Sequence, residues 1–83
     1  MAKFSYSCDE KKAILSVKKS LNGKLPILKD KGNELVVGMP MMSAKVTFGN
    51  GIVETGAALF GKAVLGTVNS CIELSEEFTK IWL

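Results

Sequence analysis

The sequence predicts an α+β domain in which two helices pack on one face of a four- to five-stranded antiparallel sheet. Apolar and polar residues alternate over residues 2–8 and around residues 44–57, as they do in half-buried strands. Asn50-Gly51 separates two such runs and is a typical two-residue hairpin turn. Apolar residues recur every three or four positions over residues 13–21, which indicates an amphipathic helix. The predicted order is β-α-β-β-β-β-α.

Length and composition predict one domain that spans residues 1–83. The chain is 47% hydrophobic and 23% charged, which is too apolar for a disordered protein. Eight lysines face four acids through Glu34, a net charge of +4, whereas the remainder has a net charge of −1. All eleven basic residues are lysine, and the absence of arginine argues against sequence-specific reading of nucleic acid.

The first strand and the first helix follow from local patterns. Ala2, Phe4 and Tyr6 alternate with polar residues and predict a strand. Ser7 and Glu10 have the spacing of a capping box, which places a helix start here. Asn22-Gly23 predicts its end, because glycine readily adopts the left-handed conformation that follows a helix.

A second pair of strands is expected before the central hairpin. Residues 24–29 form a short strand, which Pro26 restricts to a sheet edge or a bulge. Residues 30–33 have turn chemistry, and residues 34–39 form the returning strand. Pro40 then marks a bulge or a connection.

The central hairpin has a predicted register. A turn at Asn50-Gly51 pairs residue 48 with 53, residue 46 with 55 and residue 44 with 57. One face, predicted to be buried, comprises Val46, Phe48, Val53, Thr55, Ala57 and Leu59. The solvated face comprises Lys45, Thr47 and Glu54.

Residues 60–66 are compatible with a strand or a helix. Glycines favour a break near Gly66, so the final helix is expected to begin within residues 67–70, where Ser70 and Glu73 repeat the capping-box spacing. Its predicted apolar stripe consists of Cys71, Leu74, Phe78, Ile81 and Trp82.

The sequence offers little support for catalysis or for a membrane span. The absence of histidine removes the commonest general base, so we expect no enzyme activity, no catalytic residues, no metal and no cofactor. No apolar run reaches about 18 residues, so no transmembrane segment is expected. The opening residues do not resemble a signal peptide, which favours a cytoplasmic location. Cys8 and Cys71 are expected to be buried thiols, although a disulfide between them is an alternative.

The second half of the chain resembles a known family. The residues concerned are Leu35-x-Val37, Lys45-Val46-Thr47-Phe48, Gly51-Ile52-Val53 and Ala57-x-Leu59, followed by glycine and a terminal helix. This pattern, over about residues 33–78, is similar to that of the polyhydroxyalkanoic acid system family of small bacterial proteins. The family is arginine-rich and this chain has none, so the resemblance implies only an apolar surface or a small-ligand partner.

Two binding functions are predicted. The first is a small non-enzymatic interaction module that self-associates or binds an apolar partner or ligand. Its predicted surface consists of Met39, Met41, Met42, Phe48, Leu59 and Phe60, although methionines also fill gaps in cores. The alternative is weak, non-sequence-specific nucleic-acid binding by a basic face that consists of Lys11, Lys12, Lys18 and Lys19.

Overall fold

A computed structural model of the chain describes residues 2–39, 41–58 and 61–81. Eight elements follow one another along these residues. They are β1 (Ala2–Ser5), α1 (Glu10–Leu21), β2 (Ile27–Asp30), β3 (Glu34–Met39), β4 (Met42–Gly49), β5 (Ile52–Ala58), α2 (Lys62–Leu74) and β6 (Thr79–Ile81).

The strands form one antiparallel sheet in the order β2-β3-β4-β5-β1-β6. This confirms the predicted α+β class, with six strands among the described residues instead of the predicted four or five. The additional strand is β6, which pairs with β1. β1 therefore lies between β5 and β6, so the first and last described strands are neighbours in the sheet.

The central hairpin has the predicted register. Phe48 pairs with Val53, Val46 with Thr55, and residue 44 with 57. Asn50 has φ 53° and Gly51 has φ 75°, the left-handed conformations that a type I′ turn requires at both positions. The turn and the apolar alternation therefore agree on which side chains of β4 and β5 lie on the same face.

The core lies between the helix-covered face of the sheet and the two helices. It contains Phe4, Tyr6, Ala13, Val17, Leu21, Leu35, Val37, Ala44, Val46, Phe48, Val53, Val64, Val68, Cys71, Ile72 and Phe78. On the opposite face Lys45, Thr47 and Glu54 are exposed, as predicted. Ala57 was predicted to be buried and is exposed instead, whereas Leu59 lies outside the described residues.

Helix α1 matches its predicted span but not its predicted cap. The residue before it is Asp9, and no side chain caps the first turn, so the expected Ser7–Glu10 capping box is wrong. Glu10 in the first turn and lysines in the last turn complement the helix dipole. Gly23 has φ 81°, the conformation expected of a glycine that follows a helix.

Helix α2 differs from its prediction at both ends. It begins at Lys62 and ends at Leu74, so most of residues 60–66 are helical and the expected start within residues 67–70 is wrong. Its buried residues are Val64, Val68, Cys71 and Ile72, which follow one helical face. Phe78 is buried beyond the helix and residues 79–81 form β6, while Trp82 lies outside the described residues.

Polar contacts connect both helices to other elements. The buried Thr55 hydroxyl donates a hydrogen bond to Asn69 Oδ1 at 2.5 Å, which links β5 to α2. The Ser16 hydroxyl of α1 donates to the Glu77 carboxylate in the turn after α2. Neither α1 nor α2, the two helices among the described residues, is long and apolar enough to cross a membrane.

Candidate binding surfaces

Three of the predicted apolar residues form an exposed group at the β3–β4 connection. Met39, Met41 and Met42 are 56%, 74% and 39% exposed. Met39 pairs with Met42 across the hairpin, so the three side chains belong to one short segment. We call these three residues the methionine surface. Methionine is flexible and polarisable, so such a group adapts to apolar partners of different shape.

Phe48 was also predicted to belong to this surface, but it does not. Phe48 is 1% exposed and lies in the core beside Tyr6, with ring centroids 6.3 Å apart. Its assignment to a binding surface is therefore corrected, because its strand position faces the helices. Leu59 and Phe60 lie outside the described residues.

Gly38 fixes the base of the methionine surface. It has φ 122°, and a Cβ atom there would lie 2.4 Å from the Met42 carbonyl oxygen and 3.1 Å from a methyl carbon of Val64. The Gly38 N–H donates a 2.9 Å hydrogen bond to the Pro26 carbonyl oxygen. Glycine therefore permits β3, β4 and α2 to approach one another directly below the exposed methionines.

The four lysines of the predicted basic face of α1 lie in different environments. Lys11 and Lys12 are exposed in its first half, and Lys19 is exposed in its last turn. Lys18 instead forms an ion pair with Asp30 of β2. The hydrogen bond from Lys18, together with one from the Gly32 N–H, lowers the pKa of the Asp30 carboxyl.

A groove that the sequence did not predict lies where α1 meets the segment leading into β2. Its volume is about 660 Å³. It is lined by Leu15, Lys18, Lys19, Asn22, Gly23, Lys24, Leu25, Pro26 and Ile27, and we call it the basic groove. The sequence offers one signal of this groove, because Leu15 lies outside the apolar stripe of α1. In the structure the Leu15 side chain is 61% exposed.

A second depression lies at the opposite end of α1. It is lined by Ser5, Tyr6, Ser7, Cys8, Glu76, Glu77 and Thr79. Tyr6 is almost fully buried and packs edge-to-face with the Phe78 ring, and burial raises the pKa of its phenol. Cys8 is half-buried and Cys71 is buried; both are free thiols, so the alternative of a disulfide between them is wrong.

The described residues offer no group of three or more acidic or cysteine side chains placed to hold a metal ion. Comparisons with protein-family models, with curated proteins and with solved structures found no match. The resemblance to the polyhydroxyalkanoic acid system family therefore stays a prediction.

Proposed function

We propose that this protein is a small non-enzymatic interaction module that binds the apolar surface of a partner through its methionine surface. The observation that carries the proposal is the exposure of Met39, Met41 and Met42 on one hairpin. Burial of such side chains against a partner is favourable, because apolar area is removed from water. The two free cysteines support a reducing, cytoplasmic setting for this interaction.

The local backbone also suits a binding role. Gly38 and the strand pairing below it hold the hairpin in place, so the three side chains need little backbone ordering when a partner binds. The methionine side chains themselves keep several rotatable bonds, which favours contact with varied apolar shapes.

The test is titration with an environment-sensitive hydrophobic dye, combined with light scattering. We expect the wild-type protein to increase dye fluorescence, and replacement of Met39, Met41 and Met42 by serine to remove most of this increase. Ile52→Ser is the control, because Ile52 is 37% exposed and lies at the turn end of the β4–β5 hairpin, away from the methionines. Dye binding that is absent in the wild type, or unchanged in the triple variant, would contradict the proposal.

A second proposed function is weak binding of nucleic acid by the basic face of α1. It is favoured by the exposure of Lys11, Lys12 and Lys19, for which the described residues supply no ion-pair partner. Phosphate contacts of this kind give binding that weakens steeply with salt. A mobility shift at low salt that is lost in the Lys11→Gln, Lys12→Gln, Lys19→Gln variant would support it, and no shift in the wild type would end it.

A further inference from the structure

Leu74 is an exposed apolar side chain that the described residues leave uncovered. It ends α2 and is 79% exposed, more than any of the three methionines. Its neighbours along the chain are acidic: Glu73 precedes it, and Glu76 and Glu77 follow in the turn that leads to β6. We call residues 73–77 the acidic turn.

The charges of the acidic turn are used unequally within the chain. Glu73 forms a 3.0 Å ion pair with Lys80, and Glu77 accepts the hydroxyl hydrogen bond from Ser16. Glu76 is exposed, and the described residues give it no hydrogen bond or ion pair. An apolar side chain and a free carboxylate thus lie two residues apart on the same turn.

The basic groove has the opposite character. Leu15, Leu25, Pro26 and Ile27 supply apolar contacts, while Lys18, Lys19 and Lys24 supply positive charge. Lys18 is already paired with Asp30, but Lys19 and Lys24 have no acidic partner among the described residues. No carboxylate lies among the described residues that line the groove.

We propose that the basic groove of one protomer binds the acidic turn of a second copy of this chain. Leu74 of the second copy enters the apolar part of the groove, and its Glu76 lies near Lys19 and Lys24. The two surfaces are complementary in charge and in apolar character, and each copy carries both. The inference does not depend on the methionine surface, which belongs to a different part of the molecule.

This contact joins two different surfaces, so it is head-to-tail. A bound pair therefore keeps one free groove and one free acidic turn, and further copies add until a ring closes or a chain continues. The contact area is small and the charges are exposed, so association is weak and sensitive to salt. Apolar association through the methionine surface would not weaken as salt is added, which separates the two modes.

The experiment is sedimentation velocity of the full chain over a range of protein concentrations. It is performed at about 0.01 M and about 1 M salt, between which the Debye length falls from about 30 Å to about 3 Å. We expect the weight-average mass to rise with concentration at low salt and to remain that of a monomer at high salt. A wild type that is monomeric throughout overturns the proposal.

Variants locate the contact. Leu74→Ser should weaken association roughly ten- to hundredfold, the range expected when one leucine is no longer buried. Glu76→Lys and the double variant Lys19→Glu, Lys24→Glu should each abolish it. The double variant Lys11→Glu, Lys12→Glu is the matched control, because it makes the same charge change as the groove double variant at exposed positions of α1 away from the groove. Met41→Ser controls for the methionine surface.

Mixing provides the decisive result. The Glu76→Lys protein and the Lys19→Glu, Lys24→Glu protein are complementary at both types of contact, so an equimolar mixture should associate although neither does alone. Restoration in the mixture supports the proposal. Variants that associate like the wild type, or a mixture that stays monomeric, overturn it, with thermal unfolding used to verify that each variant is folded.

Discussion

The two faces of the β4–β5 hairpin share one backbone and one register but have opposite surroundings. Val46, Phe48 and Val53 point toward the helices and are fully buried, whereas Lys45 and Thr47 point away and are exposed. Neighbouring residues therefore differ in what covers them, and not in local structure. From this comparison we expect the cost of a substitution in this sheet to depend on the covering helices more than on strand propensity.

The largest expected difference is between Phe48→Ala and Thr47→Ala. Loss of the buried ring should lower the free energy of unfolding by about 3–5 kcal/mol, because the transfer free energy is lost and a cavity remains. Loss of the exposed threonine should cost at most about 1 kcal/mol, the span of strand propensities. Urea unfolding followed by circular dichroism measures both values.

Phe48→Leu keeps the comparison usable if the alanine variant does not fold, since a smaller hydrophobic replacement leaves less of the site empty. Equal losses for the Phe48 and Thr47 variants would contradict the assignment of the two faces.

Two glycines give a comparison of intermediate size. Gly38→Ala should lower the free energy of unfolding by about 1–3 kcal/mol, because it combines a positive φ with a close approach to backbone. Gly56→Ala on β5 is the matched control, since an added Cβ there has no neighbour within 4 Å. Replacing a glycine at an unstrained site stabilises by about 0.4–1 kcal/mol. Equal effects in chemical denaturation would show that Gly38 is not under steric constraint.

The smallest effect is expected for the ion pair on the exposed face. Lys3 Nζ lies 3.8 Å from Glu54 Oε1, and the two side chains are 39% and 47% exposed. Glu54→Gln should lower the free energy of unfolding by less than about 1 kcal/mol, as exposed pairs do, and high salt should reduce the difference. Lys45→Gln is the control, because the described residues offer Lys45 no acidic partner. A larger loss for Glu54→Gln would mean that something covers this face.

The elements that local chemistry specifies were predicted closely. The Asn50-Gly51 turn fixes the hairpin register through the backbone angles it requires, and α1 carries both its apolar stripe and its terminating glycine. The predicted start of α2 is wrong because a glycine normally disfavours a helix, whereas the spacing of the apolar residues here continues the helix through Gly66. Gly66 is exposed and an added Cβ would meet nothing within 4 Å, so this glycine neither breaks nor crowds the helix.

The candidate surfaces were predicted less completely. The methionines were identified by their unusual density, but Phe48 was grouped with them although its own register places it in the core. The basic groove is not evident from the sequence, because it joins the end of α1 to residues 24–26, which are predicted to belong to a strand but lie before β2. Leu74 was assigned to a buried stripe, since the pattern could not show that the chain turns after it and uses Phe78 for the core instead.

The sequence by itself determined the α+β class, the span of α1 and the pairing of β4 with β5, because turn residues and apolar periodicity act over a few neighbouring positions. Only the tertiary structure decided that β1 lies between β5 and β6. It also decided at which residue α2 ends and which apolar side chains remain in contact with water. These properties depend on which distant element covers each side chain. No described element covers the methionines or Leu74. The exposure of the methionines supports the proposed function, and the exposure of Leu74 supports the proposed self-association.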